Sequence, residues 1–121
     1  GATGPFYEEL DPIAWYRKNS GDSTCFVGQK QADPWGLFDM LGNVWEWCYD
    51  WYGGYSAQAA TDPTGASTGA SRVSRGGSWD SDAYSVRAAT RYISTPTSRN
   101  YALGFRVVRS DRAGSAKASE E

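Results

Sequence analysis

The 121-residue sequence has no histidine and only two cysteines, and both scarcities exclude chemistry. Without histidine the chain lacks the commonest general base and zinc ligand, so neither a zinc site nor a histidine-assisted nucleophile is expected. Cys25 and Cys48 allow one disulfide or two free thiols. Buried reduced thiols are favoured, because free cysteine behaves as a small hydrophobe. Most hydrolase mechanisms are therefore excluded.

Excess positive charge and long apolar runs are also missing. The formal charge is −2, the pI is about 5.1, and the 12 Lys and Arg residues are scattered, so no basic field for nucleic acid is present. No apolar run approaches the roughly 20 residues that cross a bilayer, and the amino end has no signal-peptide core. We expect neither nucleic-acid binding nor membrane insertion, and the oligomeric state is unknown.

What the chain has in abundance is aromatic residues and glycine. Six Trp and eight Tyr predict a core held by large aromatic side chains, and 14 Gly with five Pro predict many loops. The length suits one domain. We expect an α+β fold with short antiparallel strands and one or two short helices, with the domain at residues 3–110 and a disordered polar tail at residues 111–121.

A few segments carry signals for regular structure. Residues 11–19 predict a short helix, with Asp11 as the N-cap, Pro12 in the first turn, and Ile13 and Tyr16 toward the core. Residues 38–41 are compatible with one helical turn. Strands are predicted at 45–52, 72–79 and 103–109, with a surface loop at 53–70.

The stretch from Arg75 to Arg106 alternates between two kinds of sequence. Glycines, apolar residues and arginines recur in what we call the scaffold segments, residues 75–79 (RGGSW), 86–89 (VRAA) and 103–106 (LGFR). Between them lie residues without hydrophobic period, which we call the interposed residues: Asp80, Ser81, Asp82, Tyr84, Ser85, Thr90, Tyr92, Ile93, Ser94, Ser98, Asn100, Tyr101 and Ala102. Ordinary solvated loops explain the Ser and Asn residues, but grouped Tyr and Ile favour a contact surface.

The interposed residues also share a codon property. Each can be encoded by a pyrimidine-ending codon that differs from an Asn codon only in the first two bases. Such a set excludes Lys, Glu, Gln, Met and Trp, and none of these occurs in residues 80–116.

Two other groups of charged residues are given structural interpretations. Five arginines could bind an anion, but arginine in a loop-rich fold usually braces backbone carbonyls. The five are Arg75, Arg87, Arg91, Arg99 and Arg106. Asp80 and Asp82 could be the paired carboxylates of a glycosidase, yet nothing else in the chain supports that reaction.

The sequence resembles the formylglycine-generating enzyme (sulfatase-modifying factor) family, which has a variant of the C-type lectin fold. The resemblance rests on residues 35–52 (WGLFDMLGNVWEWCYDWY), 72–79 (RVSRGGSW), 87–91 (RAATR) and 103–109 (LGFRVVR), in that order. It implies a pared-down C-type lectin-like fold. The family's longer amino-terminal half has no counterpart in the sequence.

The enzymes of that family activate oxygen with copper through two cysteines that follow the Gly-Gly-Ser segment. The corresponding residues here, 80–85 (DSDAYS), contain no cysteine. Without soft thiolate ligands copper(I) has nothing to hold it, so we reject the oxidase chemistry.

The chain also resembles the variable proteins of diversity-generating retroelements, in which adenine-directed errors of reverse transcription rewrite Asn-type codons. That resemblance implies a non-catalytic ligand-binding protein whose interposed residues form a hypervariable face. The expected partner is a protein or glycan receptor on another cell or particle, and the implied location is a phage or virus tail fibre or a cell surface.

The family resemblance also points to a structural calcium site. Asp39, Gly42, Val44 and Glu46 occupy positions at which family members bind calcium through side-chain and carbonyl oxygens. The alternative is that Glu46 only hydrogen-bonds the Gly42-Asn43 turn. No other cofactor is expected.

Two further functions remain as alternatives to the non-catalytic binder. One is an enzyme, or a fragment of one, of the formylglycine-generating type. The other is a calcium-dependent sugar lectin, although the acid, amide and proline motifs typical of such lectins are absent.

Overall fold

A computed structural model describes residues 9–54 and 64–109 of the chain. The expected tail at 111–121, and residues 55–63 of the expected loop at 53–70, lie outside the described residues. The described residues form six short strands: β1 Ala14–Trp15, β2 Leu41–Gly42, β3 Trp45–Trp51, β4 Arg72–Arg75, β5 Arg91–Ser94 and β6 Leu103–Gly104.

The main element is a four-stranded sheet in the order β5-β4-β3-β6. β4 pairs antiparallel with both β3 and β5, while β6 runs parallel to β3. The predicted strand at 45–52 is confirmed, because alternating aromatic residues suit a pleated surface with neighbours on both faces. Trp47, Ser74 and Tyr92 lie opposite one another across β3, β4 and β5 and therefore share one face.

The predicted short helices are wrong within the described residues. Residues 11–13 form a turn, and Ala14–Trp15 pairs in parallel with Leu41–Gly42. The Asp11 carboxylate accepts a hydrogen bond from the Tyr16 hydroxyl at 2.6 Å, so it caps no helix. The predicted turn of helix at 38–41 is absent too, since Leu41 belongs to β2. Tyr16 nevertheless reaches the core, as expected.

The prediction of an aromatic core is only partly right. The buried cluster consists of Leu10, Ala14, Tyr16 and Val86. Most tryptophans are half-buried on the sheet, and Trp35 is 88% exposed in the turn at residues 33–36.

Two predicted strands end early. β4 stops at Arg75, because Gly76 and Gly77 both have positive φ angles, 98° and 75°, which break the extended backbone. β6 stops at Gly104, and Phe105, Val107 and Val108 beyond it are exposed. None of the six elements in residues 9–54 and 64–109 is a helix able to span a membrane.

Candidate ligand-binding site

A concave space of about 550 Å³ lies where β5 and the loops at residues 78–85 and 100–102 meet, and we call it the 80–102 pocket. Nine of the thirteen interposed residues line it: Asp80, Ser81, Asp82, Ser85, Thr90, Tyr92, Asn100, Tyr101 and Ala102. Its size is in the range of small-ligand and side-chain binding sites. Residues that the sequence separates by up to 22 positions are thus brought to one surface.

The sheet and the glycines of the first scaffold segment position one wall of this pocket. Tyr92 on β5 stacks on Trp45 of β3, with ring centroids 5.2 Å apart and planes at 26°. Gly77 allows the chain to turn toward the core, because a Cβ there would lie 2.8 Å from Val86 Cγ2. The chain then enters the loop of residues 78–85, where Ser78 N donates to Ser81 Oγ at 2.9 Å.

A second wall, formed by Tyr101 and Ala102, is held by Trp79 and by β3. The Trp79 ring lies 5.8 Å from the Tyr101 ring, and its Nε1 donates to the Tyr101 carbonyl at 3.1 Å. Trp45 N donates to the Ala102 carbonyl at 2.7 Å. The Tyr101 side chain itself is 78% exposed. Its backbone is therefore fixed while its ring stays available to solvent.

Charge in the pocket is dominated by two aspartates. Arg17 donates from Nε and Nη2 to the Asp80 carbonyl, at 3.1 and 2.8 Å, and its Nε lies 3.6 Å from the Asp80 carboxylate. Asp82 Oδ1 accepts a hydrogen bond from Ser85 N at 3.0 Å. The hydrogen bonds from Ser85 hold the pKa of Asp82 below its usual value, so this carboxylate stays ionised at neutral pH.

Four of the predicted site residues do not line the 80–102 pocket. Tyr84 is exposed and lies under Arg87. Ile93 is exposed on the sheet face opposite to Tyr92, because neighbouring strand residues alternate. Ser94 is paired with Arg72 on the sheet, and Ser98 bonds the Thr95 hydroxyl.

Sequence reasoning missed three residues that line the pocket, namely Arg17, Trp45 and Ser78. Ser78 belongs to the first scaffold segment, and Trp45 belongs to the predicted strand at residues 45–52. Arg17 lies 63 positions before Asp80, and no sequence pattern links the two. The fold brings it there, because the loop that contains Arg17 lies next to the loop that contains Asp80.

A second concave space, of about 450 Å³, contains all four predicted calcium ligands, and we call it the Glu46 pocket. Asp39 Oδ2 accepts from Gly28 N at 2.8 Å, while its Oδ1 is buried and has no hydrogen-bond partner among the described residues. Glu46 does not bond the Gly42-Asn43 turn. Its carboxylate binds Arg106, with a shortest N to O distance of 2.7 Å, and this contact raises the pKa of Arg106.

Of the two carboxylates in the Glu46 pocket, one is therefore available to a calcium ion and the other is not. The unpartnered Asp39 oxygen is the type of ligand that calcium prefers, but Arg106 already neutralises Glu46. No group of three or more acidic, Cys or His side chains able to hold a metal occurs in residues 9–54 and 64–109. Backbone carbonyls and water would have to complete the site.

The prediction that the arginines act as braces is confirmed for four of them. Arg75, Arg87, Arg91 and Arg106 donate to the backbone carbonyls of Ala88, Tyr84, Gly53 and Phe38, respectively. Arg99 is exposed.

Both cysteines are free thiols. Burial raises the pKa of Cys25 and of Cys48, which lowers the thiolate fraction of each. Neither lines the 80–102 pocket.

Residues 5–111 match the family described as sulfatase-modifying factor enzyme 1-like domain. The formylglycine-generating enzyme of Streptomyces coelicolor is 41% identical over 103 residues, which cover 81% of this chain and 33% of that enzyme. The serine/threonine-protein kinase pkn1 of Chlamydia caviae is 45% identical over 94 residues, which cover 74% of this chain and 15% of the kinase.

Among solved structures, Treponema denticola variable protein 1 superposes with a TM-score of 0.76 at 39% identity, over 80% of this chain and 36% of that protein. These comparisons confirm the predicted C-type lectin-like fold and the resemblance to a variable protein. The chain spans about a third or less of the length of these relatives.

Proposed function

Because the chain belongs to the sulfatase-modifying factor enzyme 1-like family, we propose that it is a non-catalytic member that binds a ligand through the 80–102 pocket. The observation that carries this proposal is the convergence of nine interposed residues on one concave surface. The interposed residues show no hydrophobic period, so core packing does not explain why they meet there. A surface for contact with a ligand does explain it.

The source of these residues is part of the proposal. Their codon property supports rewriting by a diversity-generating retroelement, and the superposition on a variable protein supports it independently. The partner would be a protein or glycan receptor on another cell or particle. Display on a phage tail fibre or a cell surface would suit that role.

The absence of a paired-cysteine site supports a non-catalytic role. Residues 80–85 correspond to the segment that carries the reactive cysteines of the enzymes, and they contain no cysteine, although four of them line the pocket. The thiols of Cys25 and Cys48 have raised pKa values, which disfavours copper(I) binding.

The second candidate is an enzyme of the formylglycine-generating type, and identity of about 41% to such an enzyme favours it. Incubation with copper and a sulfatase-type cysteine peptide tests it directly. Conversion of the cysteine to formylglycine would refute the non-catalytic assignment, and the Streptomyces coelicolor enzyme serves as the positive control.

The proposed function is tested first by the DNA around the gene. We expect a near-copy of the segment encoding residues 75–109 with adenines at the interposed codons, next to a reverse transcriptase gene. A locus without such a copy would argue against rewriting.

A display experiment tests binding itself. In one library Asp82, Tyr92 and Tyr101 are randomised, and in a matched control library three exposed residues away from the pocket, Tyr49, Asp22 and Val108, are randomised. Both are selected on the same immobilised proteins. The pocket library should yield specific binders and the control library should not. Equal yields would contradict the proposed site.

We also propose that the Glu46 pocket holds a structural calcium ion through Asp39 and neighbouring oxygens. Calcium at 1 mM should raise the melting temperature, because a ligand that binds only the folded state stabilises it. Asp39→Asn should abolish the rise and the control Asp22→Asn should keep it. The same melting temperature with calcium and with chelator would refute the site.

A further inference from the structure

The residues that line the 80–102 pocket carry unequal charge. Asp80 and Asp82 contribute two carboxylates, and Arg17 is the only cationic residue among the described residues that line the space. Arg17 directs two donors at the Asp80 carbonyl and lies beside the Asp80 carboxylate. One negative charge therefore stays without a cationic partner of its own, and Asp82 is its source, because this exposed carboxylate accepts hydrogen bonds from Ser85 and forms no ion pair among the described residues.

Aromatic rings form the walls around these carboxylates. Elsewhere in the chain, five rings have a Lys or Arg from the same chain over them: Trp15, Tyr49, Trp51, Tyr52 and Tyr84. The three pocket rings, Trp45, Tyr92 and Tyr101, have no such cation among the described residues. Tyr92 and Tyr101 are 55% and 78% exposed. Ring faces of this kind attract cations when a ligand supplies them.

An unpaired hydroxyl group adds a third, independent feature. Thr90 lines the pocket, and its Oγ1 is buried and has no hydrogen-bond partner in the part of the chain that the structure describes. A hydroxyl oxygen accepts two hydrogen bonds, so it suits a donor-rich group. Both lysine ammonium and arginine guanidinium groups are donors without acceptors.

We propose that the 80–102 pocket of this sequence recognises a lysine or arginine side chain of a protein ligand, with Asp82 as its ion-pair partner and Tyr92 and Tyr101 as its aromatic walls. This inference rests on the proposed function and adds the chemical class of the ligand. Lysine and arginine share the positive charge and the donors, and the experiment separates them.

Other ligand classes fit these features less well. An anionic ligand would meet two carboxylates, and Arg17 already directs its donors at Asp80. A neutral sugar could stack on the tyrosines, but it would cover Asp82 without neutralising it, and burying an unpaired charge is costly. A cationic group avoids both penalties.

The experiment uses the whole chain, labelled with ¹⁵N, and four blocked pentapeptides with Arg, Lys, Gln or Glu between glycines. The methyl glycosides of glucose, galactose and mannose form a further arm. Amide shifts of residues 80–102 are measured at 50 mM and 500 mM NaCl. We expect saturable shifts with the Arg and Lys peptides, weakened by salt because the charges are exposed, and none with the Gln and Glu peptides or the sugars.

Matched variants assign the effect to Asp82. Asp82→Asn keeps an acceptor for Ser85 N and removes the charge, so affinity should fall about fivefold, as expected for an exposed ion pair. Asp22→Asn removes an equal charge on an exposed residue that does not line the pocket, and affinity should be unchanged. The spectrum of each unliganded variant reports whether its fold is intact.

Three results would overturn this inference. They are absence of saturable shifts with both cationic peptides, equal binding of the Gln peptide, and preferential binding of a glycoside. Each leaves the proposed function standing if the pocket library still yields binders. Failure of that library would count against the proposed function instead.

Discussion

At the scale of single residues, Gly42 shows most directly why this backbone needs a particular amino acid. Its φ angle is 77°, and a Cβ there would lie 2.9 Å from the carbonyl carbon of Trp15, which belongs to the paired strand β1. Both the left-handed backbone and the close approach of β1 exclude a side chain.

Gly42→Ala should therefore cost more than about 2 kcal/mol in the free energy of unfolding, measured by urea denaturation. Gly54→Ala is the matched control, because a Cβ there meets nothing within 4 Å. The control should change stability by less than about 0.5 kcal/mol. Similar losses in the two variants would show that β1 and β2 can move apart enough to accept a Cβ at residue 42.

Tyr16 gives the chain a pH-dependent contact. Its hydroxyl donates to Asp11, and this hydrogen bond together with burial raises the pKa of Tyr16 to about 12. In the unfolded chain the pKa is about 10. The folded state thus favours the protonated form, so the added stability is fully present below pH 10 and is lost as the pH rises toward 12.

The unfolding free energy of the unchanged protein should therefore fall more steeply between pH 9 and pH 11.5 than that of Tyr16→Phe. At neutral pH the variant should be less stable by about 1 kcal/mol, the net value of one hydrogen bond. Urea denaturation at neutral pH, at pH 9 and at pH 11.5 measures both effects. Parallel pH profiles for the two proteins would rule out the contact with Asp11 as the cause.

At the scale of elements, the stacking of Trp45 on Tyr92 joins the outer strand β5 to β3 across β4. Trp45 belongs to the tryptophan-rich strand and Tyr92 to the interposed residues. The contact suggests that a residue of the binding surface also contributes to the sheet. Its replacement would then change stability as well as affinity.

A double-mutant cycle with Trp45→Leu and Tyr92→Leu measures this contribution. We expect a coupling energy of about 0.5–1.5 kcal/mol, typical of a stacked aromatic pair. Chemical denaturation of the four proteins gives the value. If the two losses add without coupling, Tyr92 is free of the sheet and its role is confined to ligand contact.

The elements also show which parts of the fold could be predicted from sequence. The alternating aromatics of residues 45–52 predicted β3 correctly, because alternation with a period of two is the pattern of a β-strand and not of a helix. The helix expected at residues 11–19 failed, because the local signals of Asp11 and Pro12 were outweighed by pairing of β1 with a strand 27 positions away. The ends of β4 and β6 depended on backbone angles that glycine permits but does not require.

At the scale of the whole molecule, β3 separates two pockets. Adjacent strand residues point to opposite faces, so Trp45 lines the 80–102 pocket while Glu46 lines the Glu46 pocket. The scaffold segments mark where the interposed residues lie in the sequence, and nine of these line the first pocket, while the ligand-binding role expected of them stays a prediction. The sequence could not predict Arg17 or the Arg106 contact with Glu46, since both depend on how distant loops meet.

Arg106 connects the segments on the face of the sheet that carries the Glu46 pocket. Its guanidinium bonds the Glu46 carboxylate, the Phe38 carbonyl at 3.1 Å and the Asp39 carbonyl at 2.9 Å. One side chain thus joins β3, the loop before β2 and the carboxyl-terminal segment. A planar guanidinium can serve these acceptors together, whereas a single ammonium cannot.

Arg106→Lys should therefore cost about 2 kcal/mol although it keeps the charge, the order expected for lost hydrogen bonds to charged groups at a partly exposed site. Urea denaturation measures the loss. Arg99→Lys is the control, because Arg99 is exposed, and it should change stability by less than about 0.5 kcal/mol. If Arg106→Lys is as stable as the unchanged protein, the positive charge alone holds these segments together, and the hydrogen bonds of the guanidinium contribute nothing. If it loses the expected stability, the face that we propose binds ligand can vary while a single arginine on the opposite face keeps the loops in register.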